Sequence, residues 1–269
     1  MEADNISRFL TSMPTENAKE GLVALFLFAH QDDECGVFYS IEEELKKKRK
    51  VVCVYLTDGG YSGVSPKIRN RESTAVLTKL GVKTNNIWFV GEEVGIYDMH
   101  MHEYLNLGYS YLAQRVDREN LIIESVYSPA WEGGHPDHDA VNLIAQKLVF
   151  YKWKEIETWQ FPLYNSFGCP FTFFKVMSPL YNNGPIMARY IPWPRRLYYV
   201  TLCLFYKSQW KTWIGLFPFV CCHYLIKGRQ YLQCLTNKYT PPHNGPLYYE
   251  RRKFAKYEDI KKYAIKFFT

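Results

Sequence analysis

The apolar positions of this chain fall into two alternating patterns. Leu22-Val23-Ala24-Leu25-Phe26-Leu27-Phe28 and Val51-Val52-Cys53-Val54-Tyr55-Leu56 are unbroken runs of strand length, the pattern of strands buried on both faces. Ile87-Trp88-Phe89-Val90 and Leu121-Ile122-Ile123-Glu124-Ser125-Val126-Tyr127 add a third and a fourth, and Ile156 to Phe161 is a candidate last strand. Between them the spacing turns helical. Glu34 to Lys48 carries Ile41 and Leu45 at i, i+4, with Glu42, Glu43 and Glu44 ahead of Lys46-Lys47-Lys48-Arg49-Lys50, the charge order a helix dipole favours. Ile68 to Leu80 predicts a helix stopped by Gly81 as a C-cap. Residues 100–118 predict another, and Asp137 to Tyr151 puts Val141, Ile144, Ala145 and Leu148 on one face. Strands alternating with helices predict an α/β fold, a mostly parallel sheet with helices on both faces.

The pattern weakens after Lys154. Six prolines from Pro162 to Pro194 break any long element, and Leu197 to Ile226 is strongly apolar and aromatic. Lys207, Ser208, Gln209 and Lys211 leave uncharged runs of ten and fifteen residues there, short of the ~18–20 that span a bilayer. Amphipathic helices that pack on the sheet or cap a pocket are the first reading. An interfacial surface is the second, since Arg195, Arg196, Lys227 and Arg229 flank the stretch and peripheral membrane contact through 195–229 would follow. Residues 1–20 are polar and predict a loose arm or short helix. The expected organisation is one domain over 1–269, with an α/β core over 1–155 and an aromatic-rich C-terminal extension over 156–269.

Composition narrows the class. In 269 residues, 47% are hydrophobic and 22% charged, which supports a packed core and excludes disorder. The net charge of +6 suits an anionic substrate or surface as well as an ordinary solvated exterior. No nucleic-acid motif accompanies it. Seven cysteines without a C-x-x-C pair do not make a disulfide scaffold. The first residues have neither a basic nor an apolar leader region. A cytoplasmic location is the expectation.

Chemistry gathers in two places. Ala29-His30-Gln31-Asp32-Asp33-Glu34 follows the first strand, and Gly133-Gly134-His135-Pro136-Asp137-His138-Asp139 follows the fourth. Strand ends are where open α/β sheets bind ligands. Either cluster alone is weak, because H-x-x-H arises by chance and Asp-Asp can cap a helix. Together they offer a zinc site: catalytic zinc takes three nitrogen or oxygen ligands and keeps a position for water. His30, Asp33 and His138 would supply that set. Asp32 and His135 remain for proton chemistry on an amide, Asp32 as general base and His135, as imidazolium, for the oxyanion and the leaving amine. Asp137 is placed to orient an imidazole. Iron(II) or cobalt suits the same donors. His100 and His102 read as surface or rim residues, and His223 and His243 as packing residues.

These residues resemble the LmbE/PIG-L family of zinc-dependent N-deacetylases, which remove acetyl from N-acetylglucosamine-type sugars. Ala29 to Glu34 matches the family's Ala-His-Pro-Asp-Asp-Glu motif and His135 to His138 its His-Pro-Asp-His motif. The resemblance implies a Rossmann-like sheet and one zinc per chain held by His30, Asp33 and His138. It also implies Asp32 as base, with His135 supported by Asp137. Arg69-Asn70-Arg71-Glu72 resembles the family's Arg-x-x-Glu helix, in which Arg69 would reach sugar hydroxyls, and Asp98 is a further sugar-contact candidate. Tyr206 to Gln209 and Pro242 to Arg251 are also similar. Two features depart from the pattern. Gln31 replaces a proline, which should free the loop. Trp131-Glu132-Gly133-Gly134 stands where some relatives place a tyrosine near the carbonyl. Trp131 is either a sugar-stacking platform or a core residue.

The expected function is metal-dependent hydrolysis of the acetamide of an N-acetyl amino sugar, nucleotide-, lipid- or glycan-linked. The alternatives are a zinc amidohydrolase acting on a non-sugar amide and a non-catalytic sugar-binding protein on the same fold.

Overall fold

The computed structural model describes residues 21–269; the arm or helix expected over 1–20 lies outside the described residues. Strand β1 (Leu22–Phe28) is followed by a 3-10 turn, Asp33–Gly36, and helix α1 (Phe38–Lys46). Then come β2 (Lys50–Tyr55), α2 (Pro66–Leu80), β3 (Ile87–Phe89), α3 (Val90–Val94), α4 (Leu105–Arg118), β4 (Ile122–Pro129) and α5 (Pro136–Lys147). The C-terminal part adds β5 (Glu157–Phe161), the two-residue strands β6 (Tyr164–Asn165) and β7 (Lys175–Val176), β8 (Met187–Tyr190), α6 (Trp193–Cys203), α7 (Trp210–Cys222), β9 (Arg229–Cys234), α8 (Tyr248–Arg251) and α9 (Tyr257–Phe268).

Seven strands form one sheet in the order β3-β2-β1-β4-β5-β9-β8. The first five are mutually parallel and β9 and β8 join antiparallel. The fold is therefore the expected α/β class with a mostly parallel sheet. The extension does more than cap it, since β9 and β8 lengthen the sheet beyond β5.

β1 shows why its sequence reads as an unbroken apolar run. Successive side chains point to opposite faces, and both faces are covered. Val23, Leu25 and Leu27 enter one core with α4, α5 and α9; Ala24, Phe26 and Phe28 enter the other with α1, α2 and α6. Leu25 lies opposite Val52 on one side and Val126 on the other. From β1 the chain builds outward to β2 and β3; β4 then returns to its other edge. The strand order thus switches direction between β1 and β4, and a crevice opens at their C-terminal ends. His30 follows β1 and His135 follows β4, so topology alone brings the two clusters to one place.

Gly81 caps α2 at φ 104°, as its position predicts. Lys46 to Lys50 is less simple than a solvated helix end. Arg49 is buried and donates to Glu44 Oε2 at 2.7 Å, contacts Glu124 and lies 3.4 Å from Glu157. Glu44, fully buried, also accepts from Tyr127 Oη at 2.9 Å. This network ties the end of α1 to β4 and β5.

Removing one partner of a buried ion pair strands the other charge. Arg49→Met should lower unfolding free energy by about 3 kcal/mol in urea titration, and combining it with Glu44→Gln should recover part of the loss. Equal stability of wild type and the single variant would remove the network from the account of the fold.

Candidate active site and metal centre

The turn after β1 is held in an unusual conformation. Asp32 has φ 134° and ψ −14°, a region that non-glycine residues avoid at a cost of roughly 1–3 kcal/mol. Several bonds hold it there. The Asp32 N–H donates to Glu34 Oε2 at 3.0 Å. Arg69, reaching across from α2, donates to Gln31 O at 2.8 Å and to Gly59 O at 2.6 Å. Gln31 does not free the loop. It is buried, and its Nε2 donates to Asn70 Oδ1 at 2.6 Å and Asp58 O at 3.2 Å. It replaces a ring's stiffness with two side-chain tethers, one to helix α2 and one to the loop after β2.

The strained turn aims the Asp32 carboxylate into a cavity of about 490 Å³. Arg69 Nη2 lies 3.4 Å from one oxygen, and Trp213 Nε1 of α7 donates to the other at 3.3 Å. Burial pushes the Asp32 pKa up to about 6, against the opposing pull of Arg69.

Asp33 turns the other way. Its Oδ2 accepts from the N–H groups of Ala29 and His30 at 2.9 and 2.8 Å, and its Oδ1 lies 3.0 Å from His138 Nε2. Burial would raise Asp33, but His138 and His30 hold it well below the usual carboxylate range. His30 Nε2 sits 3.1 Å from Asp137 Oδ2 and 3.2 Å from Asp98 Oδ1. Burial lowers the affinity of this imidazole for a proton, yet Asp98, Asp137 and Asp33 outweigh it and the pKa is raised well above the ordinary value.

The second cluster starts α5. His135 is its N-cap, and its Nδ1 accepts the Asp137 N–H at 3.2 Å. That bond leaves Nε2 as the proton-bearing nitrogen of a neutral ring. Burial, with His30 and His138 nearby, pushes the His135 pKa down to about 3, so the imidazolium expected from the sequence is not the resting form. Asp137 also acts differently from its expected role. Its oxygens accept from the N–H groups of Met99 and Met101 at 2.6 and 3.0 Å and face His30, while His135 Nδ1 is 4.0 Å away. The imidazole it orients is that of His30.

Donor atoms of His30, His135 and His138 lie within 4.8 Å of one another, as do those of His30, Asp98, His135 and Asp137. Asp33, of the expected trio with His30 and His138, lies outside both groups: its oxygens are 3.8 Å from His30 Nδ1 and 3.0 Å from His138 Nε2, and it spends one on the backbone and the other on His138. Buried carboxylates that draw a proton onto His30 draw a cation equally well, and the donor set is nitrogen and oxygen, suited to a divalent transition metal.

Of the sugar-contact candidates, Arg69 and Asp98 line the cavity, though both are engaged by neighbouring groups. Trp131 does not. It is wholly enclosed in the core and its Nε1 donates to Thr240 O at 2.8 Å, so it offers no face for stacking. His102 is buried against the Tyr263 ring rather than on the surface, while His100 is exposed beside Glu103. His223 and His243 are buried away from the cavity. Sequence reasoning missed Tyr164, Trp213 and Tyr248. The Tyr164 ring stands 5.4 Å from that of His138 and 5.7 Å from that of Tyr248, all on the cavity wall. The signal available for Tyr164 was its place just past a strand end, after Phe161-Pro162-Leu163. Gly134 lets it approach: a Cβ there would meet Tyr164 O at 1.9 Å.

Asp139 completes the second cluster from inside. Fully buried, it accepts from the N–H groups of Glu132 and Gly133, each at 3.2 Å. Burial pushes its pKa up to about 8. A carboxyl with a raised folded pKa loses its contribution to stability as pH rises through that value. The wild-type melting temperature should fall between pH 6 and 9. Asp139→Asn, which keeps the acceptor and cannot ionise, should fall less; parallel curves by circular dichroism would show that Asp139 is ionised throughout.

Residues 25–149 match the family model described as PIG-L: GlcNAc-PI de-N-acetylase. No curated protein sequence matches the chain. Among solved structures, a triple mutant of a deacetylase of the teicoplanin biosynthetic pathway superposes with TM-score 0.58 at 17% identity, covering 79% of this chain and 96% of that one. N,N'-diacetylchitobiose deacetylase from Pyrococcus horikoshii gives 0.55 at 17%, covering 91% and 96%. A zinc-inhibited form of teicoplanin deacetylase gives 0.51 at 16%, covering 70% and 84%. At these identities the likeness is one of fold.

Proposed function

Residues 25–149 belong to the PIG-L family, and from that premise we propose that the protein is a metal-dependent N-deacetylase, hydrolysing the acetamide of an N-acetyl amino sugar to free amine and acetate. One observation carries this reading: a carboxylate held in strain, Asp32, and three imidazoles converge on one cavity at the β1/β4 switch point. The names of the structural neighbours, deacetylases of the teicoplanin biosynthetic pathway and of N,N'-diacetylchitobiose, support an N-acetylated sugar as the substrate class.

His30, Asp33 and His138 are the residues that would hold the ion, with zinc the first candidate and iron(II) or cobalt compatible with the same donors. Such an ion supplies Lewis-acid activation at neutral pH. The chain's own groups do the rest. Asp137 and Asp98 fix the His30 ring. Asp32 accepts the proton of the attacking water; a carboxyl with a pKa near 6 is ionised at pH 7 yet more basic than an exposed aspartate. Arg69 and Trp213 hold its two oxygens in place. His135, neutral, directs its Nε2–H at the oxygen that gains charge. The proton taken by Asp32 is then available to the departing nitrogen. Arg69 and Asp98 remain the candidates for sugar hydroxyls once substrate competes for them. The aromatic wall of Tyr164, Phe174 and Tyr248 suits an apolar sugar face or aglycone.

Acetate release from free, nucleotide-linked and lipid-linked N-acetyl amino sugars, after chelation and with zinc restored, tests the proposal. Metal-restored release from one class is expected, and no release from any, with metal bound, would favour the non-sugar amidase or a binding protein. Asp32→Asn should keep metal and fold and lose roughly 10²–10⁴-fold in turnover; unchanged turnover would remove it as base. His138→Ala should lose the metal by elemental analysis, and full occupancy would overturn the ligand assignment.

A further inference from the structure

The helix that brings Trp213 to Asp32 is apolar on the side that faces away from the protein. α7 reads Trp210-Lys211-Thr212-Trp213-Ile214-Gly215-Leu216-Phe217-Pro218-Phe219-Val220-Cys221-Cys222. Only Trp213 and Val220 are fully buried. A helix against water carries polar residues on its outer stripe, yet here that stripe runs Trp210, Ile214, Pro218 and Cys222, with Lys211 as its one charge. Ile214 is 68% exposed, Trp210 56% and Phe219 51%. The patch does not end with the helix. The Phe219 ring lies 6.0 Å from that of Phe174, in the loop that also exposes Phe171 (83%) and Phe173 (65%), and Ile226 just beyond α7 is 77% exposed. A contiguous apolar surface of this kind marks an interaction site.

Charge identifies what it meets. From Thr158 to Tyr249 the chain contains nine lysines and arginines and no aspartate or glutamate. Four of these cations border the patch, Lys207 and Lys211 at the start of α7 and Lys227 and Arg229 after its end, all exposed and without an acidic partner among the described residues. Elsewhere the surface mixes both signs, as in the Lys46–Glu43 and Arg115–Glu93 pairs. An apolar helix face with a tryptophan and a rim of one sign is the design of an interfacial anchor that inserts side chains among acyl chains and sets cations among phosphates. No helix among the described residues is long and apolar enough to cross a membrane, so the contact lies in the plane of the surface.

We propose that α7 and the 171–174 loop form a docking surface for an anionic lipid bilayer. The same helix supplies Lys211, Gly215 and Leu216 to the cavity wall, so docking sets the cavity mouth at the headgroup level. The surface rests on the functional reading only for what passes through that mouth; the docking stands on exposure and charge alone.

The test is cosedimentation of the full chain with vesicles of phosphatidylglycerol and phosphatidylcholine (1:1) and of phosphatidylcholine alone, at low and high salt. Partition is expected to the anionic vesicles at low salt, and to be at least tenfold weaker for pure phosphatidylcholine or high salt. Ile214→Glu with Phe219→Ser, and separately Lys207→Glu with Lys227→Glu, should each weaken it at least tenfold with an unchanged circular dichroism spectrum. Asp32→Asn should bind vesicles as the wild type does, which separates failure of docking from failure of the proposed catalysis. Wild-type protein that stays in the supernatant at low salt overturns the proposal, as does Ile214→Glu/Phe219→Ser binding undiminished. A wild-type dimer that this variant converts to monomer, without vesicle binding, would assign the face to a second copy of the chain.

Discussion

The site is governed by the cost of enclosing negative charge. Asp33, Asp98 and Asp137 are buried around the His30 ring, Asp33 on the side of Nδ1 and the other two on the side of Nε2, with Asp32 at the edge. Isolated carboxylates would each lose several kcal/mol of hydration there. The chain offsets this with backbone N–H donors from Ala29, His30, Met99 and Met101, with the Arg69 guanidinium, and with a proton on His30. Much of the local architecture follows from that balance. A divalent ion among the same groups would take over the role of the His30 proton, which is why the donor set reads as a metal centre without any appeal to ancestry.

The same balance explains a division of labour between adjacent aspartates. Asp33 is saturated by N–H donors and His138, so its charge is fixed and its proton affinity low. Asp32 receives one guanidinium contact at 3.4 Å and one indole N–H at 3.3 Å, both too long to compensate fully for its burial. Its proton affinity rises as a result. The strained backbone at Asp32 is what points two neighbouring carboxylates in opposite directions, one inward to the imidazoles and one into the cavity. Arg69 stabilises the strain and contacts the Asp32 carboxylate together, so its role and that of the turn are not separable.

The first five strands were legible because each is buried on both faces and reads as a short apolar run. The convergence of His30 with His135 and His138 was legible because parallel order puts both strand ends on one edge. What was not legible depends on contacts distant in sequence. Asp137 reaches His30, 107 residues away, rather than its neighbour His135, because the start of α5 spends the His135 Nδ1 on capping. Gln31 reads as a loosening substitution until Asn70 and Asp58 are brought beside it. Trp131, a plausible sugar platform beside a catalytic motif, is turned into the core where Thr240 accepts from its indole. β9 escaped notice because two of its buried positions, Gln230 and Gln233, are polar and held by hydrogen-bond partners, and β8 because it is short and largely exposed.

The C-terminal region joins the two ends of the argument. Glu72, in the helix that delivers Arg69, accepts from Ser208 through both its backbone N–H (2.8 Å) and its hydroxyl (2.6 Å). That bond seats the turn just before α7, and the Trp213 ring then stacks on Tyr206 at 5.5 Å as its nitrogen meets Asp32. One side of α7 is therefore tied to the turn after β1 through Glu72 and Asp32, while its other side is apolar and exposed. A helix coupled to Asp32 and apolar on its outer face gains from an apolar phase what it loses in water. Seating that face would restrain the same turn that holds Asp32, so the proposed surface attachment and the order of the candidate site would be linked through a single element.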